Sequence, residues 1–141
     1  MKNLILQYKE AGDEALYKVF FYPLIAHIML RYLGYHIVTV PSSPTKLAMR
    51  GYDHMKLMTS VLPLKSGPKL KMKDDFSQVE KSREERSAML DNIVLASQRA
   101  LPSKILLIDD IFTTGSSIYG SYKALGKSEH VKAITLSYVV H

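Results

Sequence analysis

Ile105-Leu106-Leu107-Ile108-Asp109-Asp110-Ile111-Phe112-Thr113-Thr114-Gly115-Ser116-Ser117 is the stretch on which the fold turns. Four consecutive apolar residues are what a strand buried on both faces of a parallel sheet requires. Two carboxylates follow, then a hydroxyl-rich turn with one glycine, then a helical pattern over 116–125. In open α/β sheets, ligands bind at the carboxyl ends of the strands, and this turn is predicted there. Gly115 permits close backbone approach and a positive φ. Successive amides at a helix start form an anion nest. The hydroxyls of Thr113, Thr114, Ser116 and Ser117 add donors, so the turn suits a phosphate monoester. Asp109 and Asp110 suit the paired hydroxyls of a sugar, or a hydrated Mg²⁺ on a polyphosphate. An Asp after a buried strand can merely cap a turn, and Thr-Gly-Ser is a common helix entry. The two halves together, at this spacing, are far more specific than either alone.

Outward from this stretch, strands and helices alternate. Tyr35 to Val40 is rich in β-branched and aromatic residues and runs into Pro41, as a strand entering a loop does. Ile93–Ala96 is a short strand candidate, and Val131–Val140 a longer one. Residues 4–33 read as helical, with Asp13 as N-cap, Pro23 as a kink and Gly34 as a stop. Leu16, Val19, Phe20, Leu24, Ala26, His27, Leu30 and Leu33 supply its near-helical spacing. Residues 46–62 read as one more helix, with Leu47, Met55, Met58 and Leu62 in the core. Residues 63–86 hold seven basic and five acidic residues and few apolar ones. They read as a mobile flap with a short strand near Leu70 and a helix near Arg83. The alternation predicts an α/β fold: a mostly parallel central sheet flanked by helices, with that flap. The whole chain, 1–141, is expected to form a single domain.

Composition narrows the chemistry. The 141 residues contain no cysteine, which excludes disulfides, thiolate zinc sites and a cysteine nucleophile, and fits a cytoplasmic location. The five histidines show no ligand spacing, so no protein metal site is expected; His27 and His36 read as packing residues. The formal charge of +6 attracts phosphates of some kind. The most apolar stretch, Ala15–Leu33, carries Lys18, His27 and Arg31 and is broken by Pro23, so no membrane insertion is expected. Gly126-Lys127-Ser128 lacks the spacing and preceding strand of a P-loop, and there is no G-x-G-x-x-G fingerprint.

Ile105 to Ser117 resembles the phosphoribosyl-pyrophosphate (PRPP) motif of type I phosphoribosyltransferases. Within that superfamily the chain resembles the ComF competence-protein family. Tyr8-Lys9…Gly12-Asp13, Arg50-Gly51-Tyr52-Asp53-His54 and Gln78 to Arg86 are similar to that family's segments, in the same order over roughly residues 7–140. This chain has Pro41-Ser42-Ser43 where the family usually has Pro-Val-Pro, and Asp53-His54 in place of Asn-Gln. It begins where the family's four-cysteine module would end, as a shortened member or a fragment would.

The resemblance implies a type I phosphoribosyltransferase fold. Asp109 and Asp110 would serve the reaction at the sugar. Thr113, Thr114, Gly115, Ser116 and Ser117 would hold the 5′-phosphate, and Ser42, Ser43 and Arg50 the pyrophosphate. Lys71, Lys73, Lys81, Arg83 and Arg86 would be phosphate neighbours on the flap. Mg²⁺ would arrive with PRPP and not in a protein site. The ligand would be PRPP or another nucleotide bearing ribose 5-phosphate. Transfer to a nitrogen nucleophile, or binding without transfer, would follow. A helicase-like partner and single-stranded DNA are the further partners implied.

Overall fold

The computed structural model describes Ile5 and residues 17–73, 92–97, 100–126 and 130–138. The Tyr8–Asp13 and Gln78–Arg86 segments, with the expected helix near Arg83, lie outside the described residues.

Helix α1 (Tyr17–Phe21) passes through one 3₁₀ turn at Tyr22–Leu24 into α2 (Ile25–Arg31). Pro23 sits in that turn, where its missing amide costs no helical bond. A 3₁₀ turn takes about three residues instead of 3.6, so the two halves do not share one apolar face. Phe20, Phe21 and Ile28 are accordingly buried. Leu30 and Leu33, expected in the same stripe, are 87% and 71% exposed, and His27 is exposed as well. Gly34, at φ 81°, ends the segment ahead of β1 (His36–Thr39).

The expected single helix over 46–62 is two: α3 (Pro44–Arg50) and α4 (His54–Thr59). Gly51 breaks it by adopting φ 77°, its amide donating to the Leu47 carbonyl at 2.9 Å. Asp53 then caps α4, its carboxylate accepting from the Lys56 amide at 3.1 Å. Met55, Met58 and Leu62 are buried, but Leu47 is 40% exposed, because α3 turns that residue outward.

Beyond these lie β2 (Lys65–Ser66), β3 (Leu70–Met72), β4 (Ile93–Leu95), β5 (Ile105–Phe112), α5 (Ser116–Ala124) and β6 (Val131–Tyr138). The main sheet has the order β2-β1-β5-β6, and all its pairings are parallel. β3 and β4 form a separate antiparallel ribbon, Leu70 opposite Leu95 and Met72 opposite Ile93. The strand expected near Leu70 is present, and the one expected at 93–96 pairs with it outside the main sheet.

Ile105, Leu106, Leu107 and Ile108 are all 0% exposed. Side chains alternate across a strand, so they feed two cores. Leu106 and Ile108 join Phe20, Phe21, Ile28, Met55 and Met58 on one face. Ile105 and Leu107 join Val38, Val40 and Leu125 on the other, with Ile118, Leu70 and Leu95 against them. Each such side chain contributes roughly 1.5–3 kcal/mol on burial. The result is a mostly parallel central sheet flanked by helices, the architecture that the resemblance implies.

Candidate functional site

The carboxyl ends of β1 and β5 open on a cavity of about 520 Å³. The loop after β1 contributes Ser42 and Ser43, α3 contributes Lys46 and Arg50, and α4 contributes His54. Asp109 and Asp110 come from β5 and Ser117 from the first turn of α5. Met72 and Ile93, paired partners on the ribbon, supply apolar wall. Six of the predicted residues, Ser42, Ser43, Arg50, Asp109, Asp110 and Ser117, thus meet at one cavity. Thr113, Thr114, Gly115 and Ser116 do not line it; they form the turn leading to Ser117.

β5 does not end at the carboxylates. It continues to Phe112, so Asp109 and Asp110 sit inside the strand with side chains directed to opposite faces. Asp110 follows the parity of Leu106 and Ile108, toward α4. It is 6% exposed, and its Oδ2 lies 2.8 Å from Nε2 of His54, which is 3% exposed. Asp109 is half-buried, and its Oδ1 accepts the Asp110 amide at 2.9 Å. The two carboxylates therefore have different environments, one buried against His54 and one half-buried at the cavity.

The other ring nitrogen of His54, Nδ1, lies 3.3 Å from a terminal guanidinium nitrogen of Arg50. Arg50 closes α3 and His54 opens α4, and the left-handed Gly51 between them lets the two helices present both side chains to one place. The sequence reading did not assign His54. Its signals are its place at the end of the Arg50–His54 segment, where it replaces a glutamine, and its spacing of four residues from Arg50 across a glycine.

The turn after β5 has the form an anion cradle needs. Gly115 stands at φ 75° and precedes the helix as its cap. A Cβ there would meet the Phe112 ring at 3.0 and 3.1 Å. The first amides of a helix have no partner within it, and the first bonded amide of α5 is that of Tyr119, which donates to Gly115 O at 2.9 Å. Thr114 Oγ1 and Ser116 Oγ lie 2.9 Å apart, so one of these hydroxyls donates to the other. Ser43 has a local duty too: its Oγ accepts from the Lys46 amide at 3.4 Å as the cap of α3. Its hydroxyl proton stays available to a ligand.

Lys71 and Lys73 are exposed on and just after β3; neither lines this cavity, but Lys71 lines an adjoining one that shares Pro41, Ser42 and Met72 with it, and Lys81, Arg83 and Arg86 lie outside the described residues. Among the described residues, no group of three or more His, Cys, Asp or Glu side chains is placed to hold a metal ion. Among the same residues, no helix is long and apolar enough to cross a membrane.

No protein-family model matches the chain. Among solved structures it is similar to a hypoxanthine phosphoribosyltransferase from Staphylococcus aureus, with a TM-score of 0.47 and 14% identity over 90% of this chain and 75% of that one. A hypoxanthine phosphoribosyltransferase from Trypanosoma cruzi gives a TM-score of 0.47 and 8% identity over 92% and 78%. These likenesses are partial, and the fold is read from the strand order above. In sequence the chain is 31% identical over 138 residues to "Competence protein ComFC" of Streptococcus pneumoniae strain ATCC BAA-255 / R6. The match takes in 96% of this chain but 62% of the relative, less than two thirds of its length. Over nearly its whole length the chain is thus similar in sequence to this streptococcal competence protein.

Proposed function

We propose that the cavity binds PRPP with its Mg²⁺, or a nucleotide carrying ribose 5-phosphate. One observation carries this reading: Ser42, Ser43 and Arg50 from the first half of the chain share one cavity with Asp109, Asp110 and Ser117 from the second. A ligand with an anion at each end and a polyol between them matches that arrangement. The amides of Thr113 to Ser117 receive the 5′-phosphate, as unpaired donors at a helix start do. Asp109, at the cavity and half-buried, accepts ribose hydroxyl protons. Arg50 binds pyrophosphate oxygens through its planar fork, with Ser42 and Ser43 as further donors. Mg²⁺ is part of this substrate and offsets the pyrophosphate charge.

In the transfer reaction a nitrogen nucleophile forms a bond to the anomeric carbon as the bond to pyrophosphate oxygen breaks. Pyrophosphate leaves with the electron pair, through a transition state of oxocarbenium character. The chain's own residues contribute position and charge stabilisation, with no covalent intermediate. A second reading, binding without transfer, is favoured by His54: both its ring nitrogens are engaged within the protein, so it is not free to act as a base. The name of the streptococcal relative and the charge of +6 support a setting in DNA uptake. There, a helicase-like protein and single-stranded DNA are the proposed cytoplasmic partners.

Calorimetry with PRPP and Mg²⁺, paired with pyrophosphate release across a panel of nitrogen nucleophiles, tests both readings. Binding with release supports transfer, and binding without release supports the second reading. No heat of binding for PRPP or for ribose 5-phosphate would overturn both.

A further inference from the structure

We propose that His54 is a positioning residue: Asp110 holds it as the neutral tautomer protonated on Nε2, and its bare Nδ1 fixes the Arg50 guanidinium at the cavity. The proposal rests on the reading of Arg50 as the pyrophosphate ligand. Its basis is donor and acceptor chemistry. Arginine carries only donors and stays charged, so a hydrogen bond from Arg50 to Nδ1 at 3.3 Å requires Nδ1 to be unprotonated. A neutral imidazole then has its proton on Nε2, 2.8 Å from the Asp110 carboxylate, which accepts it. Each link dictates the next.

Burial gives the arrangement its purpose. His54 and Asp110 are 3% and 6% exposed, so neither reaches far into the cavity they line. Arg50, half-buried at the end of α3, is the member of the three with a charge to offer a ligand. An arginine side chain on a surface samples many rotamers, and ordering it on binding costs conformational entropy. A fixed acceptor beneath one guanidinium nitrogen removes part of that cost and leaves the other nitrogens for an anion. Asp110 thereby acts on the ligand through two side chains, whereas Asp109 faces it directly.

Glutamine is the informative replacement. Its amide offers one donor to Asp110 and one acceptor to Arg50, like the proposed tautomer, and it cannot titrate. The experiment measures the affinity of wild type, His54→Gln and His54→Ala for pyrophosphate and, separately, for ribose 5-phosphate. The ¹⁵N shifts and one-bond couplings of the His54 ring are recorded on the wild type. We expect His54→Ala to weaken pyrophosphate about tenfold and ribose 5-phosphate less than twofold, and His54→Gln to restore pyrophosphate to within about threefold. The ring should carry its proton on Nε2. A loss in His54→Ala that is equal for both ligands would overturn the proposal. So would a Gln variant no better than Ala, or a ring protonated on Nδ1. Should His54→Ala not fold, the Gln variant and the ring spectrum still decide. A wild type that binds neither ligand refutes the PRPP reading, while the tautomer still tests the Asp110–His54–Arg50 linkage by itself.

Discussion

Gly115→Ala should separate the conformation of the phosphate turn from its contacts. Gly115 stands at φ 75°, and a left-handed conformation costs an L-residue roughly 1–2 kcal/mol. The added Cβ would also approach the Phe112 ring to 3.0 and 3.1 Å, closer than nine in ten real Cβ contacts. Phe112 is 41% exposed, so the ring can yield by a few tenths of an ångström, and the steric share is the smaller one. The expected total is about 1–2 kcal/mol, which for a chain of this size lowers Tm by roughly 3–8 °C. Thermal melts of Gly115→Ala in the wild-type and the Phe112→Ala backgrounds divide that total. Most of the loss should persist without the ring, since φ is unchanged. Ribose 5-phosphate affinity, measured by calorimetry on the same proteins, should fall at least tenfold as the amides of the turn are re-aimed. Full ribose 5-phosphate affinity in a variant whose Tm has dropped would show that the turn is not the cradle. An unchanged Tm would refute the conformational reasoning itself.

Asp109→Asn should keep the fold, because its amide oxygen can still accept the Asp110 N–H, now at 2.9 Å. Hydrogen bonds to a charged group are worth about 1.5–3 kcal/mol, so PRPP affinity should fall by roughly one to two orders of magnitude at constant Tm, as calorimetry and melting will show. Leu107→Ala empties a fully buried position at the centre of the sheet. It should cost about 2–5 kcal/mol in urea unfolding with little change in slope; a loss below 1 kcal/mol would contradict the described core.

The parts of this molecule legible in its sequence are those fixed by local pattern. Ile105 to Ile108 could be read because a strand buried on both faces has no polar position to interrupt it. The φ of Gly115 could be anticipated because glycine between hydroxyl residues at a helix start has few other uses. The break at Gly51 was hidden by apolar residues on both sides of it, although Asp53, two residues on, is an N-cap in plain view. Leu30 and Leu33 were misjudged because spacing says which residues share a face and not whether anything covers it. The Arg50–His54–Asp110 linkage was out of reach for a different reason. His54 and Asp110 are 56 residues apart, and only the parallel register of β1 and β5, with α4 laid on one face, brings them together. The same register explains why Asp109 and Asp110, adjacent and chemically identical, have different surroundings.

That register also sets a timetable for synthesis. Among the described residues, β1 emerges from the ribosome with the two-residue β2 soon to follow as a neighbour, and its main partner, β5, is encoded far downstream. At ~5–20 residues per second, Ile37 and Val38 wait on the order of several seconds for Leu106 and Leu107. During that interval an apolar strand edge is open to any other extended chain. The serine loop and Arg50 already exist by then, but the opposite wall of the cavity does not. A nascent chain therefore has no complete cavity at any length short of β5. Ligand present during translation cannot template the early half, and the aggregation risk of this protein should depend on how fast ribosomes traverse the codons between the two strands.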